Sequence, residues 1–355
     1  MNYKELFSKT PPTKLFFTAA IPGSIGMLAS ALYQTIDGVL VGRILSGNAF
    51  AALNLAMPLV IINFSLADLI GVGSAVPISV RLGEKKEAEA NNIFTSACLM
   101  IVITGLILGL AMFLAAPALI GLMGAEGELA KLAVQYLRVY CLCSPVTTIV
   151  FAMDNYLKIC GRVRSSMALN IVMSVLSAVL EFIFLFVFRF GIWAAALATC
   201  TSMFLCALAA LYPFFSRKMQ LRFVRPRLNR TMIKTIVTCG SPNFLNNVAG
   251  RITSIIMNMI LLRVGGATAV SVYGILMFAD GFVQPLLYGM CDSLQPAVGY
   301  NWGAGALKRV KDIEKRCFTA GAILSIASAV VIFCFPLPIA SLFTQNADQA
   351  LLDMA

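Results

Sequence analysis

The 355-residue sequence contains no histidine and few charged residues. Asp, Glu, Lys and Arg make up 12% of it, against about 25% in soluble domains, while hydrophobic residues make up 59%. Its ten cysteines are scattered and form no CxxC pair, so zinc sites of the usual spacing are excluded. The sequence also lacks HExxH, GxSxG and P-loop motifs. We therefore expect neither an enzyme nor a protein with a bound cofactor.

Long uncharged segments recur along the whole chain. A membrane-spanning helix needs about 20 apolar residues, and a spanning segment must satisfy its backbone hydrogen bonds internally. The sequence therefore predicts an all-α polytopic membrane protein. Nine spans are expected, at roughly 15–42, 49–80, 91–116, 130–157, 164–188, 191–215, 233–262, 268–300 and 317–344.

The basic residues fall mainly on one side of these predicted spans. With the N-terminus inside, 21 of the 27 Lys and Arg residues lie in segments on the cytoplasmic side, as the positive-inside rule requires. This distribution explains the net charge of +11 without nucleic-acid binding. We expect a multi-pass protein of the plasma membrane, surrounded by lipid, with a cytoplasmic N-terminus. The first span is too long for a signal peptide.

The two parts of the chain resemble each other weakly. Similar short motifs recur at an offset of 219–220 residues, such as Arg81-Leu82-Gly83 and Asn301-Trp302-Gly303. Both copies begin on the same side, so a parallel repeat of six plus six spans is expected, with substrate held between two lobes. We divide the chain into an N-lobe (1–215), a basic linker (216–231) and a partial C-lobe (232–355). Asp348–Ala355 is interpreted as the opening of a tenth helix in a truncated chain.

Two acidic residues stand at membrane depth beside long uncharged runs. Asp37 follows the run from Leu15 to Ile36, and Glu181 follows the run from Ser165 to Leu180. A charged residue at the centre of a spanning helix costs about 2.5–3.5 kcal/mol on insertion scales. Such residues are therefore interpreted as sites for a proton, a metal cation or a cationic substrate, which points to a transporter.

Other residues are expected to contribute to these sites. Ser177 lies four residues before Glu181 and so shares its helix face, and Thr199 in the next span offers another oxygen. Three further acids at membrane depth are either substrate-facing or paired with a base such as Arg251. Asp154 is expected to pair with Lys158 one helical turn later. The candidates for the substrate cavity are Tyr33, Asp68, Asp280 and Asp292.

Several segments resemble the multidrug and toxic compound extrusion (MATE) family. Residues 37–42 (DGVLVG) are similar to its first-helix acid with the following V-G pair, and residues 296–304 (PAVGYNWGA) to its P-x-x-G-Y-N-Y-G-A segment. Residues 176–199 resemble its N-x-x-L-D-P-x-F run and the G-x-x-G-A-A-x-A-T motif that follows. Span seven lacks the glutamate of other branches, so the MepA-like branch is the one resembled most.

This resemblance implies a twelve-helix, two-lobed exporter of lipophilic, often cationic drugs, driven by inward H⁺ or Na⁺ flow. By position, Asp37 would be the coupling acid of the first helix. Ser177, Glu181 and Thr199 would occupy the Asn, Asp and Thr positions of the family's cation site, so any Na⁺ would bind at these four residues. The Asn-to-Ser and Asp-to-Glu departures suit proton coupling better than the geometry of a sodium site.

Three hypotheses about the function are compatible with the sequence. The leading one is a monomeric antiporter that exports lipophilic cations by alternating access. A second is a lipid-linked precursor flippase of the same superfamily, which would need a more basic cavity to hold phosphate. The third is a truncated membrane protein that does not transport. The predicted spans carry more acids than bases, which favours cationic cargo.

Overall fold

The fold is built entirely of helices in the part of the chain that the structure describes. The computed structural model describes residues 3–45, 47–216 and 218–334. The end of the predicted ninth span and the proposed tenth helix at Asp348–Ala355 lie outside these ranges. Eight α-helices follow one another: α1 (Pro12–Ile44), α2 (Gly47–Gly83), α3 (Glu87–Leu122), α4 (Gly127–Ile159), α5 (Val163–Phe182), α6 (Ile192–Phe215), α7 (Arg230–Gly303) and α8 (Leu307–Cys334).

Seven helical segments are long and apolar enough to cross a membrane, counted over the described residues. They are the six helices α1–α6, with α5 continuing through a π-helical turn at Ile183–Val187, and α8. Large apolar side chains such as Leu106, Leu110 and Leu114 of α3 are exposed on the outside of the bundle. An apolar surface of this kind is stable against lipid and not against water.

The first six helices form one bundle with two apolar cores. One core contains Phe94, Tyr156 and Phe214 and lies toward the face of the bundle that carries the N-terminal segment. The other contains Val41 and Tyr136 and lies toward the opposite face. Helix α4 packs against α2, α3 and α6, while α1 packs against α5. The two cores therefore hold α1, α4, α5 and α6 in fixed relative positions.

Helix α7 must fold back on itself, because two distant parts of it contact the same helix. A Cβ on Gly73 of α2 would lie 2.2 Å from the Ile236 carbonyl oxygen, and one on Gly83 would lie 2.0 Å from that of Tyr300. Gly73 and Gly83 are about 15 Å apart, whereas a straight helix would separate Ile236 from Tyr300 by about 96 Å. We call the part of α7 that contains Ile236 its first arm and the part that contains Tyr300 its second arm; these residues fall in the two predicted spans 233–262 and 268–300.

The predicted cytoplasmic segments gather on one face of the molecule, here called the basic face. Lys4 pairs with Glu87 at the start of α3 at 3.0 Å. The backbone N–H of Arg222, in the linker, donates to the Asn91 side chain of α3 at 2.8 Å. The Arg309 side chain, at the start of α8, donates to the Phe7 carbonyl at 2.9 Å. The distribution of Lys and Arg therefore matches one physical face.

The two lobes meet in the half of the molecule next to the basic face. A Cβ on Gly303 would lie 2.1 Å from the Val80 carbonyl oxygen, which mirrors the approach of Gly83 to Tyr300. With the repeat offset of 220, Val80 corresponds to Tyr300 and Gly83 to Gly303. The two contacts are therefore equivalent under the internal repeat. Farther from this face, Gly250 and Gly281 of α7 have open space around them. The lobes thus touch near the basic face.

Because the lobes are in close backbone contact, Gly→Ala substitutions at two glycines of α7 should differ in their effect on thermal stability. A Cβ on Gly289 would lie 2.5 Å from the Gly23 carbonyl oxygen, whereas one on Gly250 would meet nothing within 4 Å. Gly289→Ala should lower the thermal midpoint of the purified protein, since overpacking costs about 1–3 kcal/mol. Gly250→Ala should leave the midpoint unchanged or raise it, because alanine favours helix by about 1 kcal/mol. Equal midpoints for the two variants would contradict the close contact.

Candidate cation-coupling site

Asp37 lies in the part of α1 that is farther from the basic face, and its side chain is buried. Helix α1 packs against α5, which carries Glu181 close to its end at Phe182. A π-helical turn follows at Ile183–Val187, and such turns frequently mark functional sites. The chain reverses at Arg189 with a φ of +52° and enters α6, which carries Thr199. Three helices therefore bring these side chains to one place.

A chain of hydroxyl groups links α6 to α1 and α5. The Tyr33 hydroxyl lies 2.7 Å from Thr199 Oγ1. It also lies 3.2 Å from Glu181 Oε2, to which it can donate. Tyr33 was predicted to line the substrate cavity, but its hydroxyl lies in the predicted cation site. It connects Glu181 with Thr199, which were expected to act together.

The carboxyl groups of Asp37 and Glu181 face each other. The two groups are near enough to interact electrostatically, and both residues are buried, with Glu181 at 0% exposure. Asp37 Oδ1 and Glu181 Oε1 have no hydrogen-bond partner among the described residues. Two neighbouring carboxylates that are both ionised repel each other in a medium of low dielectric constant. The pair is therefore stable when it holds a proton or another cation.

Two further tyrosines, both from α4, lie near this pair. Tyr136 and Tyr140 are buried, and their rings lie 5.2 Å apart. The Tyr140 hydroxyl is close to Thr199 and to Asp37. Ser177 is also buried, one helical turn before Glu181 on the same face of α5. The carboxyl pair, Tyr33, Thr199, Ser177 and the two α4 tyrosines together form what we call the acid-pair cluster.

A second group of acids lies between the lobes, near the basic face. The Lys158 ammonium donates to Asp154 at 2.7 Å, as expected from their spacing, and also to Asp292 of α7. Asn243 of α7 donates to Asp68 of α2 at 2.8 Å. Asp68 and Asp292 were predicted as substrate-cavity candidates, and the structure places both in this inter-lobe group. The cationic partner of Asp292 is Lys158, whereas the sequence had suggested Arg251 as one possible partner.

The remaining candidate, Asp280, is exposed on α7 and belongs to neither group. Sequence reasoning missed Lys158 as an inter-lobe residue, because the pair with Asp154 explained it locally. It also missed Tyr136 and Tyr140. Their spacing of four residues on one helix face was a usable signal, but such a pair is more often part of a core.

Buried acids inside a bundle of spanning helices, with two lobes that meet at one face, define a multi-pass membrane transporter. The chain belongs to the MatE family, whose sequence pattern matches residues 22–183 and 242–355. Membership of this transporter family agrees with the expectation that the protein is not an enzyme.

Relatives and solved structures resemble nearly the whole chain. It is 26% identical to the multidrug export protein MepA of Staphylococcus aureus strain N315 in an alignment 353 residues long, which covers 98% of this chain and 77% of that protein. Against MepA of Staphylococcus saprophyticus the identity is 25% over the same shares. A multidrug resistance MATE family transporter in an outward-facing conformation superposes with a TM-score of 0.93 at 24% identity, covering 99% of this chain and 78% of that one. These matches confirm the predicted fold class.

The hydroxyl of Tyr33 should stabilise the acid-pair cluster measurably. Tyr33→Phe removes it and leaves buried oxygens of Glu181 and Thr199 without that partner, at an expected cost of about 1–3 kcal/mol. We expect a lower thermal midpoint for the purified protein. The control is Tyr212→Phe, at a tyrosine that is 62% exposed, where the midpoint should stay the same. A Tyr33→Phe midpoint equal to that of the control would contradict the hydrogen-bond chain.

Proposed function

We propose that this protein is a secondary active antiporter of the plasma membrane that exports lipophilic cations in exchange for protons. In this proposal the basic face is cytoplasmic and the chain works as a monomer. The observation that carries the proposal is the Asp37–Glu181 carboxyl pair, buried with unpartnered oxygens in the N-lobe. The export of drugs is supported by similarity to MepA proteins of two Staphylococcus species.

The acid-pair cluster can couple ion binding to the arrangement of the lobes. An ion shifts a conformational equilibrium only if it binds one state more tightly than the other. Asp37 is on α1, and α1 also contacts the second arm of α7 through the Ser24 hydroxyl, which donates to the Leu286 carbonyl at 2.8 Å. Neutralising the carboxyl pair removes repulsion between α1 and α5. A change in the position of α1 would then be transmitted to the contact between the lobes.

Proton coupling fits the described donors better than sodium coupling does. A hard metal cation needs several oxygen ligands arranged around it, whereas a proton needs only one acceptor and a neighbouring donor. The Thr199–Tyr33–Glu181 chain of hydroxyl and carboxyl groups provides such a path. Sodium remains the alternative ion, bound at Asp37, Ser177, Glu181 and Thr199, and the choice of gradient in the transport assay separates the two.

The charges at membrane depth favour cationic cargo. In the N-lobe bundle the acid pair is accompanied by one base at comparable depth, Arg138, whose guanidinium lies 5.0 Å from the ring of Phe113 on α3. This cation–π contact holds Arg138 between α3 and α4. The flippase alternative would need bases that hold a lipid phosphate, and no described contact favours it.

Replacing the coupling acid should abolish export. We expect that Asp37→Asn lowers ethidium efflux from energised cells by about tenfold or more, because one carboxylate alone no longer forms the ion-binding pair. Efflux should be followed by fluorescence at equal protein levels in the membrane, with a proton gradient and then with a sodium gradient. The control is Glu128→Gln, which neutralises an exposed acid in the first turn of α4 and should leave efflux close to wild type.

Two outcomes would overturn parts of this proposal. Unchanged efflux in Asp37→Asn would remove Asp37 from the coupling role and shift it to Glu181. Absence of ethidium efflux in the wild type, with the protein present in the membrane, would contradict drug export and favour the flippase or a non-transporting protein.

A further inference from the structure

Lys158 is the most deeply buried base among the described residues, and it lies where the two lobes meet. Its side chain is 2% exposed although it stands one residue before the end of α4. A lysine at the end of a spanning helix would ordinarily extend its ammonium group to the aqueous interface. Here the ammonium points inward and pairs with carboxylates of two different helices, Asp154 and Asp292.

The residues around Lys158 position it for a contact with α7. Asp154 accepts further hydrogen bonds from Ser166 and from Asn170 of α5, the latter at 2.9 Å. The α4–α5 corner is thereby fixed independently of α7. On the other side, the Asn155 amide, with its nitrogen toward α7, lies 3.2 and 3.3 Å from the two oxygens of Asp292. Asp292 is thus held by two neighbouring residues of α4.

The contact with Asp292 joins the two lobes, whereas the contact with Asp154 lies within one helix. The Asp68–Asn243 hydrogen bond also joins the lobes, and Asp68 is near enough to Lys158 and Asp292 to interact with both electrostatically. Two carboxyl groups therefore contact the ammonium group of Lys158, and the third, that of Asp68, lies near them. Removal of Asp292 would leave Lys158 its local partner Asp154, whereas separation of the lobes would break the Lys158–Asp292 pair.

We propose that the Lys158–Asp292 ion pair is an inter-lobe latch that holds the basic face closed and must break before that face can open. This inference rests on the proposed alternating access, and it names the residues that set the equilibrium between the closed and open states of the basic face. The backbone contacts of Gly83 and Gly303 bring the lobes together at the same face. Those backbone contacts involve no charged groups, however. The Lys158–Asp292 ion pair is the contact between the lobes that a change of charge would weaken.

The test measures lobe opening by hydrogen–deuterium exchange of the full chain in lipid nanodiscs, without drug or ion gradient. Asp292→Asn should speed exchange about tenfold in residues 76–83 and 296–303, because the closed state loses its ion pair. Residues 33–42 of α1, on the far side, should exchange more slowly as that side closes. Asp280→Asn, the same change at an exposed acid of α7, should alter neither region.

Charge reversal keeps the proposal falsifiable if a single variant disturbs folding. Asp292→Lys should open the basic face further, and the double variant Lys158→Asp with Asp292→Lys should restore wild-type exchange, since it returns one ammonium group among three carboxyl groups. Unchanged exchange in Asp292→Asn, or no restoration in the double variant, would overturn the latch. Because exchange is read without transport, a protein that responds here but exports no ethidium would fail only the proposed function.

Discussion

Charge buried in an apolar environment is the constraint on which the described structure depends. Four charged residues are buried among those that the structure describes, namely Asp37, Asp154, Lys158 and Glu181, and none stands alone. They form two groups at opposite ends of the N-lobe, one of facing acids and one centred on a lysine. Hydrocarbon provides no solvation for any of these groups, so each needs a partner from another side chain or from a bound cation.

The two groups differ in the source of the positive charge that balances their carboxyl groups. The Lys158 group contains its own cation, and part of its balance comes from the opposite lobe through Asp292. The acid-pair cluster contains hydroxyl donors but no base, so a proton or another cation completes it. In the proposed mechanism, one group responds to the arrangement of the lobes and the other to the ion. Helix α1 connects them, because it carries Asp37 and also contacts α7 near Gly23.

Part of the candidate site could be predicted from the sequence, because an acidic residue beside a long uncharged segment is unusual and easily recognised. Asp37, Glu181 and Thr199 were expected to act together, and the structure places them within one cluster. The two arms of α7 were also predicted, from two apolar runs separated by paired glycines. The Lys158–Asp292 contact could not be predicted, since it joins residues 134 positions apart through the packing of the lobes. A local pair already explained Lys158, so nothing in the sequence required a second partner.

The central claim is that the acid-pair cluster binds the ion that competes with cargo. It is tested most directly by calorimetric titration of the purified protein with tetraphenylphosphonium, a lipophilic cation, at several proton and sodium concentrations. The account predicts that raising one of these ions weakens binding to the wild type, since coupling is reciprocal, and that Glu181→Gln loses this dependence. The claim would be contradicted if the affinity of the wild type for tetraphenylphosphonium depended on neither ion, or if Glu181→Gln kept the wild-type dependence.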